Sequence, residues 1–480
     1  MWEPISTLSV NFPDVNNILG LPKKEREMLS ELKDIYDKHY SANANKNKYY
    51  EGKVTLNDVN LGIALPDGLK DFRIGCSWGA KTVDVLAARS MFDGFVDEKG
   101  TDLSLLTNIV KDNNLIAEYG KACRDELKFG CSFGTLSANK DIKCSIKFHS
   151  PMTSAAKWDG VKGRIAYGFA IISTEISQDN KYVIPSVMNL YTDDSVWVIF
   201  YDKKTQNWKA IRHLNKMGRP LMEPLIWNAT SSKPFGRSRI KYPIRGLIDD
   251  YVRTIANMTI GLEFATAPQK YLLGITDEQF NSVIDNKFKQ YVGNILAATT
   301  NPDTGEKPTF GQLQQGTVSP HVEMIRVLAT QFSAASGLPV TDTGVVSEAN
   351  PTSSDAILAQ TKTLVGMAEE LNAGNGNSLR TIALMSMAIA QNKKIEELTD
   401  DEKAVVAHFK NPAMPSVAAT TDAAIKIASA REGFAETDTF LEMIGFDQAD
   451  IRRIKNEELR VRGLNLISGL NNEDNESRVE

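Results

Sequence analysis

The chain has 480 residues, 42% hydrophobic and 24% charged, with a formal net charge of -5. That length exceeds the span of one compact core, so several domains or one elongated subunit are expected, and the composition excludes global disorder. The near-balanced charge excludes a protein that grips nucleic acid with its whole surface, and no apolar run approaches the roughly 20 residues that span a bilayer.

The N-terminal MWEPISTLSVNFPDVNN has neither a basic nor an apolar segment, so no secretory signal is expected. Residues 23–40, KKEREMLSELKDIYDKHY, predict an amphipathic helix with Met28, Leu32, Ile35 and Tyr36 on one side. The polar, Asn-rich residues 41–48 predict a loop. A second helix is expected over 78–92, with Val83, Leu86 and Ala87 packed and Arg89 outward, and another helical stretch over 104–130. From about 131 to 225 the pattern changes. Short runs such as IKF, RIAYGFAII, KYVIPSVMNLY and SVWVIFYD carry β-branched and aromatic residues between turn signals, one of them at 202–204. A mostly antiparallel β-region is expected, without the helix alternation of a nucleotide-binding sheet.

The run KPFGRSRIKYPIRGLIDDYVRTIANMTIGLEFATAPQKYLLG, residues 233–274, opens on a turn where Gly236 can take angles closed to other residues. A long helix follows with a stripe of Leu247, Tyr251, Ile255, Met258 and Leu262, while Arg245, Asp249, Asp250 and Arg253 fall largely off it. Residues 275–318 are mixed and end in the loop-rich NPDTGEKPTFGQLQQG. Ser319 as cap and Pro320 in the first turn then predict a helix carrying Val322, Ile325, Leu328, Phe332 and Ala335, stopped at Gly337-Leu338-Pro339. The small polar run TDTGVVSEAN, 341–350, predicts a loop. Thr352 and Asp355 predict a cap and first-turn acid for a helix with Ile357, Leu364, Ala368 and Leu371 on one face. Beyond Gly374 a further helix, SLRTIALMSMAIA, is apolar nearly all round. The tail from 422 predicts two or three helices joined near Gly433 and Gly445, and the polar 471–480 should fray.

Chemistry finds no foothold. Gly75-Cys76-Ser77-Trp78-Gly79-Ala80-Lys81-Thr82 is the nearest thing to a phosphate loop, but three residues separate its glycines and Ala80 precedes the lysine. A turn leading into the helix with Val83 is the better account. Cys76, Cys123, Cys131 and Cys144 form no Cys-x-x-Cys pair and predict buried thiols in a reducing cytoplasm. His149, His213, His321 and His408 have no partner at metal or triad spacing. Asp249 and Asp250 diverge by about 100° on a helix and do not converge on one cation.

The order of these elements carries a resemblance. A Phe235-Gly236-x-Ser238-Arg239 turn into a long helix ending in Ala267, Pro268, Gln269, Lys270 and Tyr271 resembles tailed-bacteriophage portal proteins of the siphovirus head-tail connector type. Tyr49-Tyr50-x-Gly52, then Trp78 with Val83, Asp84, Ala87 and Arg89 at their spacings, then Gly94-Phe95, resemble that family's amino-terminal wing. The resemblance implies an α+β, elongated subunit: a wing over 1–240, a stem helix over 241–269 (helical core 244–266) and a clip insertion over 270–318. A second stem helix then occupies 319–340 (320–336), a tunnel loop 341–352, long helices completing the wing 353–420 and a helical crown 421–480. The clip and tunnel loop are placed by order in the chain.

It implies a dodecameric homo-oligomeric ring at one capsid vertex, assembled in the host cytoplasm. Double-stranded DNA would pass through it non-specifically during packaging and ejection. The expected partners are the terminase large subunit, head-completion or adaptor proteins, and the major capsid and scaffolding proteins; no enzyme activity, cofactor, metal or membrane is expected. Thr341, Asp342, Thr343, Gly344, Ser347 and Glu348 would line the channel, and Arg245, Asp249, Asp250, Arg253 and Arg326 would serve the stem and subunit interface. Twelve copies would total about -60, a charge that on balance repels phosphate and suits a channel through which DNA slides. Two other classes remain open: another ring-forming virion connector, and a nucleotide-dependent DNA-packaging enzyme.

Overall fold

The computed structural model describes residues 9–55, 74–97, 103–176, 182–266, 270–273, 305, 307, 309–312, 317–345, 354–413, 417–446, 450–451 and 453–461. In chain order its main elements are β1 (Ser9–Val10), α1 (Lys23–Tyr50), α2 (Trp78–Ala87), β2 (Phe92–Asp97), α3 (Ser104–Asp112) and α4 (Leu115–Phe129). Then come β3 (Cys131–Asn139), β4 (Lys143–His149), β5 (Ser154–Asp159), β6 (Arg164–Ile176), β7 (Tyr182–Tyr191), β8 (Ser195–Asp202), β9 (Asn207–Leu214) and β10 (Met222–Ile226). The rest are α5 (Tyr242–Thr266), β11 (Lys270–Leu273), β12 (Thr309–Gln312), α6 (Ser319–Ser336), α7 (Ser354–Gln391), β13 (Val405–Phe409), α8 (Val417–Ala430) and α9 (Asp438–Ile444). The fold is α+β, as expected. Two compact units form, one from Met1–Asn47, Thr82–Arg239 and Pro351–Glu480, the other from Lys48–Lys81 and Ile240–Asn350. Residues 48–81 thus group with Ile240–Asn350.

In the first unit, β5 to β9 form an antiparallel meander, with β1 added in parallel on β7 at Ser9↔Tyr182. Register puts Phe169 opposite Leu190 and Leu190 opposite Trp197, so alternate residues share one face. That face packs with Leu29, Leu32 and Tyr36 of α1 and with Ile18 and Leu21. Tyr36, its hydroxyl donating to the Met152 carbonyl at 2.7 Å, sits edge-on to Phe12. The expected turn at 202–204 joins β8 to β9, and its Asp202 accepts from the Lys204 amide.

A second sheet, β10-β3-β4, packs against α4 and α7. Here several expectations change. Residues 41–48 continue α1 rather than looping: Asn43 and Asn47 are buried, and Lys46 donates to Asn43 and to the Phe129 carbonyl at the end of α4. The 78–92 helix stops at Ala87, because Phe92 begins a strand that pairs with β13. The 104–130 helix breaks at Asn113-Asn114. Asn113 Nδ2 donates to the Ile109 and Cys144 carbonyls while its Oδ1 accepts from Ile146 N, and Asn114 takes φ 49°. The two helices expected around Gly374 are one, α7, of 38 residues. It runs past β10 and β13 at Gly374 and Gly376, where a Cβ would make ordinary contact, 4.0 Å from Ile226 O and 3.7 Å from the Phe409 ring. Leu364, Ala368 and Leu371 are buried as expected, and 382–388 are buried without a break. The side chain of Ile357, like residue 352 and residues 471–480, lies outside what the structure describes. In the tail, α8 and α9 meet the expected joints, with Gly433 and Gly445 at φ 77° and 108°.

The four thiols are free and buried, as expected. His149 is half-buried beside Thr135, its pKa pulled down to about 4 by loss of solvent, whereas His213 is exposed. His408 lies 3.8 Å from both Asp93 and Glu442.

The turn at 234–239 belongs to this unit and is tightly specified. Gly236 has φ 69°, and a Cβ there would sit 2.1 Å from the Trp227 carbonyl and 2.8 Å from that of Gly130. Both carbonyls are in use: Arg237 N donates to Trp227 O and Trp227 N to Gly130 O. Gly236→Val should therefore cost at least about 3 kcal/mol or abolish folding, while Lys233→Ala, on an exposed side chain, should stay within about 0.5 kcal/mol. Thermal unfolding of the pair checks this; equal midpoints would contradict it.

Between α4 and α7 lies a buried polar seam. Asn375 Nδ2 donates to Glu126 Oε2 at 2.7 Å and to Tyr119 OH at 3.0 Å, and the Tyr119 hydroxyl also meets Ser90 Oγ at 2.7 Å. Burial pushes the Glu126 carboxyl up to about 8, opposed only in part by Asn375. A folded-state pKa above the ordinary value of 4.5 means this group favours the fold most below pH 4.5, and that contribution is lost as pH rises through 8. Between pH 5 and 7.5, wild type should lose stability relative to Glu126→Gln by about 1.4 kcal/mol per pH unit. Parallel urea-unfolding profiles of the two proteins would contradict this.

Candidate functional site

The second unit is built on α5 and α6, which pack against each other. The buried row of α5 is Ile244, Ile248, Val252 and Ala256, one position from the expected stripe. Leu247, Tyr251, Ile255 and Met258 flank that row half-buried, and Leu262 is exposed. Both rows are apolar at spacings of three or four, so periodicity could not choose between them. The β-branched and small residues won the closer contact. On α6 the buried residues are Leu328, Ala329, Phe332 and Ser336, with Ile325 half-buried and Val322 and Ala335 exposed. The cap is Val318 rather than Ser319, which is the first helical residue. Gly337 ends α6 at φ 71°, as expected, its N–H donating to Ser333 O.

An antiparallel hairpin, β11 with β12, pairs Lys270 with Gln312 and Leu273 with Thr309. The strand at 309–312 falls within the stretch expected to be loop. Residues 274–304, including the VGNILAATT run, lie outside the described residues, as do 267–269.

The centre of the unit is Trp78, the first residue of α2, only 3% exposed. Its ring stacks on Phe332 of α6 (centroids 4.7 Å apart, 19° between planes) and meets Tyr251 of α5 at 4.7 Å and 45°. Such contacts add about 0.5–1.5 kcal/mol each beyond burial. Its Nε1 donates to the Thr343 carbonyl at 3.1 Å, and Lys81 Nζ, one turn on, donates to the Asp342 carbonyl. The segment starting at 341 is thus no free loop. Val340–Thr343 is a 3-10 turn in which Thr343 is buried and its Oγ1 donates to Val340 O at 2.6 Å. Thr341 and Gly344 are exposed and Asp342 is half-buried; Ser347 and Glu348 lie outside the described residues.

The charged residues of α5 and α6 already have partners within the unit. Asp249 accepts from Tyr49 OH at 2.8 Å, Arg245 lies 5.9 Å from the Tyr49 ring centroid, and Arg253 pairs with Asp250 at 3.2 Å. Burial pushes the Asp249 carboxyl up, against the Tyr49 hydrogen bond and with help from the charge of Asp250. On α6, Arg326 pairs with Glu323 at 3.1 Å on an exposed face. Sequence reasoning missed Trp78, Lys81 and Tyr49 as partners of these segments. The signal for Trp78 and Lys81 lay in the 75–82 run, whose aromatic and lysine sit one helical turn apart. As expected, that run is a turn leading into α2, with Val83 fully buried. Among the described residues no His, Cys, Asp and Glu group is placed to hold a metal, and no helix is long and apolar enough to cross a membrane.

Comparison with known proteins assigns the class. The family described as phage portal protein, SPP1 Gp6-like, matches residues 29–462. The chain belongs to this phage portal protein family. No curated protein matches it. Among solved structures it is similar to a chain in the virion of a native gene transfer agent particle, at 10% identity over 77% of this chain and 89% of that one, with TM-score 0.43. It is also similar to a chain in the neck of a native gene transfer agent particle computed with C12 symmetry, at 11% identity over 78% and 90%, with TM-score 0.44.

Gly79 makes the Trp78 arrangement possible. A Cβ there would lie 2.2 Å from Tyr49 O, whereas one on Gly75 would meet nothing within 4 Å. Gly79→Ala should therefore destabilise by about 1–3 kcal/mol, the range for overpacking, while Gly75→Ala stays within about 0.5 kcal/mol. Chemical denaturation of both variants checks this, and equal losses would show that α2 does not need the close approach.

Proposed function

We propose that this portal-family chain is the subunit of a ring at one capsid vertex, a structural and non-enzymatic channel for DNA entering and leaving the head. The observation that carries this reading is the β11–β12 hairpin: the chain leaves after one packed helix and returns before the next, so 274–308 are inserted between two stem helices. On this reading α5 and α6 are the stem, the inserted residues are the clip that meets the terminase large subunit and later the adaptor proteins, and the segment from Thr341 lines the channel. A closed homo-oligomer, taken here as a dodecamer, needs head-to-tail contacts that close by rotation. Exposed Val327 and Met324 on α6 supply apolar area for a neighbouring copy, and Arg326 lies on the same exposed helix. Capsid and scaffolding proteins would surround the ring, which would be assembled in the host cytoplasm and retained in the virion.

The reading requires weak contact with phosphate, because DNA gripped by many cations would not slide. Glu348→Lys would place one added cation per subunit in the channel. Packaging of DNA into empty procapsids carrying this variant should be several-fold slower at low salt and should recover as salt screens the contacts. Wild-type rates at low salt would place the segment away from the DNA path.

A further inference from the structure

The 75–82 run has glycines, a lysine and a threonine but no phosphate-loop spacing, and ring formation alone gives it no task. The geometry of its first helical turn supplies one. Trp78 and Lys81 are three residues apart, so they lie on one face of α2. They donate to the carbonyls of two consecutive residues, Thr343 and Asp342. A short helical turn leaves its last carbonyls without internal partners. Thr343 is only 6% exposed, so its carbonyl must be satisfied by protein rather than bulk water. Immediately after these two residues comes Gly344, exposed and at φ 80°, where the chain changes direction; a Cβ there would lie 3.6 Å from Lys81 Nζ.

We propose that Trp78 and Lys81 are positioning residues for the channel segment, clamping the 340–343 turn by its terminal carbonyls and so fixing the point and direction at which the chain departs at Gly344. The proposal rests on the channel reading above. Three features make the clamp specific rather than general packing. The indole is held in orientation by Phe332 and Tyr251, so its N–H has one direction in which to point. Thr343 Oγ1 is committed inside the turn, donating to Val340 O and accepting from Val345 N. Gly79 lets the start of α2 sit against the Tyr49 carbonyl, which fixes where the helix carrying both donors begins. Lys81 also places an ammonium at the base of a segment whose own charged residues, Asp342 and Glu348, are acidic.

The test is the double variant Trp78→Phe/Lys81→Met, which keeps the aromatic stack and the lysine's apolar stem but removes both donors. Rings should still assemble, with unfolding midpoints lowered by the two lost hydrogen bonds but the subunit folded. In assembled rings, amide hydrogen exchange at Asp342 and Val345 should be about tenfold faster or more, while the amides of 326–332 in α6 exchange as in wild type. Heads filled with DNA through the variant ring should lose it several-fold faster than wild-type heads. Unchanged exchange at Asp342 and Val345 would overturn the clamp. Faster exchange with wild-type DNA retention would leave the clamp standing and overturn the channel reading on which its function rests.

Discussion

The burial of Trp78 is the constraint on which the second unit depends. One indole ring touches both long helices of that unit, and its single donor reaches the turn that follows the second. Removing an aromatic of this size from a packed site typically costs about 3–5 kcal/mol, a large share of the stability of an ordinary domain. The unit therefore cannot relax at Trp78 without disturbing α5, α6 and the 340–343 turn together. The Tyr49 hydroxyl on Asp249 adds a second tie from the same 48–81 segment to α5. A short stretch from early in the chain thus braces helices that begin almost two hundred residues later.

The first unit obeys a different rule. Its meander is covered by α1 on one face, and its smaller sheet meets α7 at Gly134, where a Cβ would lie 2.9 Å from Ile382 Cδ1. Polar groups trapped between helices meet one another, as at Asn375, Tyr119 and Ser90, although Asn375 Oδ1 and Glu126 Oε1 lack a hydrogen-bond partner among the described residues. Glu126 is also the group whose charge burial opposes. Burial favours its protonated form, so α4 and α7 meet across a seam that is neutral when the group is protonated.

Much of this was legible in the sequence. The switch from helical spacing to β-branched runs near 131 and back near 240 marked the fold class. Gly236 and Gly337 marked a turn and a helix end, because both need backbone angles other residues avoid. What failed to show was mostly long-range. Val405–Phe409 pairs with Phe92–Asp97 across three hundred residues, and neither strand is long enough to announce itself. The choice between two apolar rows on α5 depended on which row α6 approached. Helix α7 runs through Gly374 and Gly376 with its buried residues packed against neighbouring strands, a fact no local propensity contains. At the candidate site the polar character of 341–344 was read correctly. The 3-10 turn at its start was not legible, since the partners that pin it, Trp78 and Lys81, are more than 260 residues away.

On the proposed reading this subunit closes into a ring around a channel, and electron micrographs of the purified protein decide it. Closed rings with an open axial channel are expected, with the segment beginning at Thr341 on the inner wall when the rings are resolved in three dimensions. Isolated subunits at micromolar concentration, or closed particles with no through-channel, would contradict it.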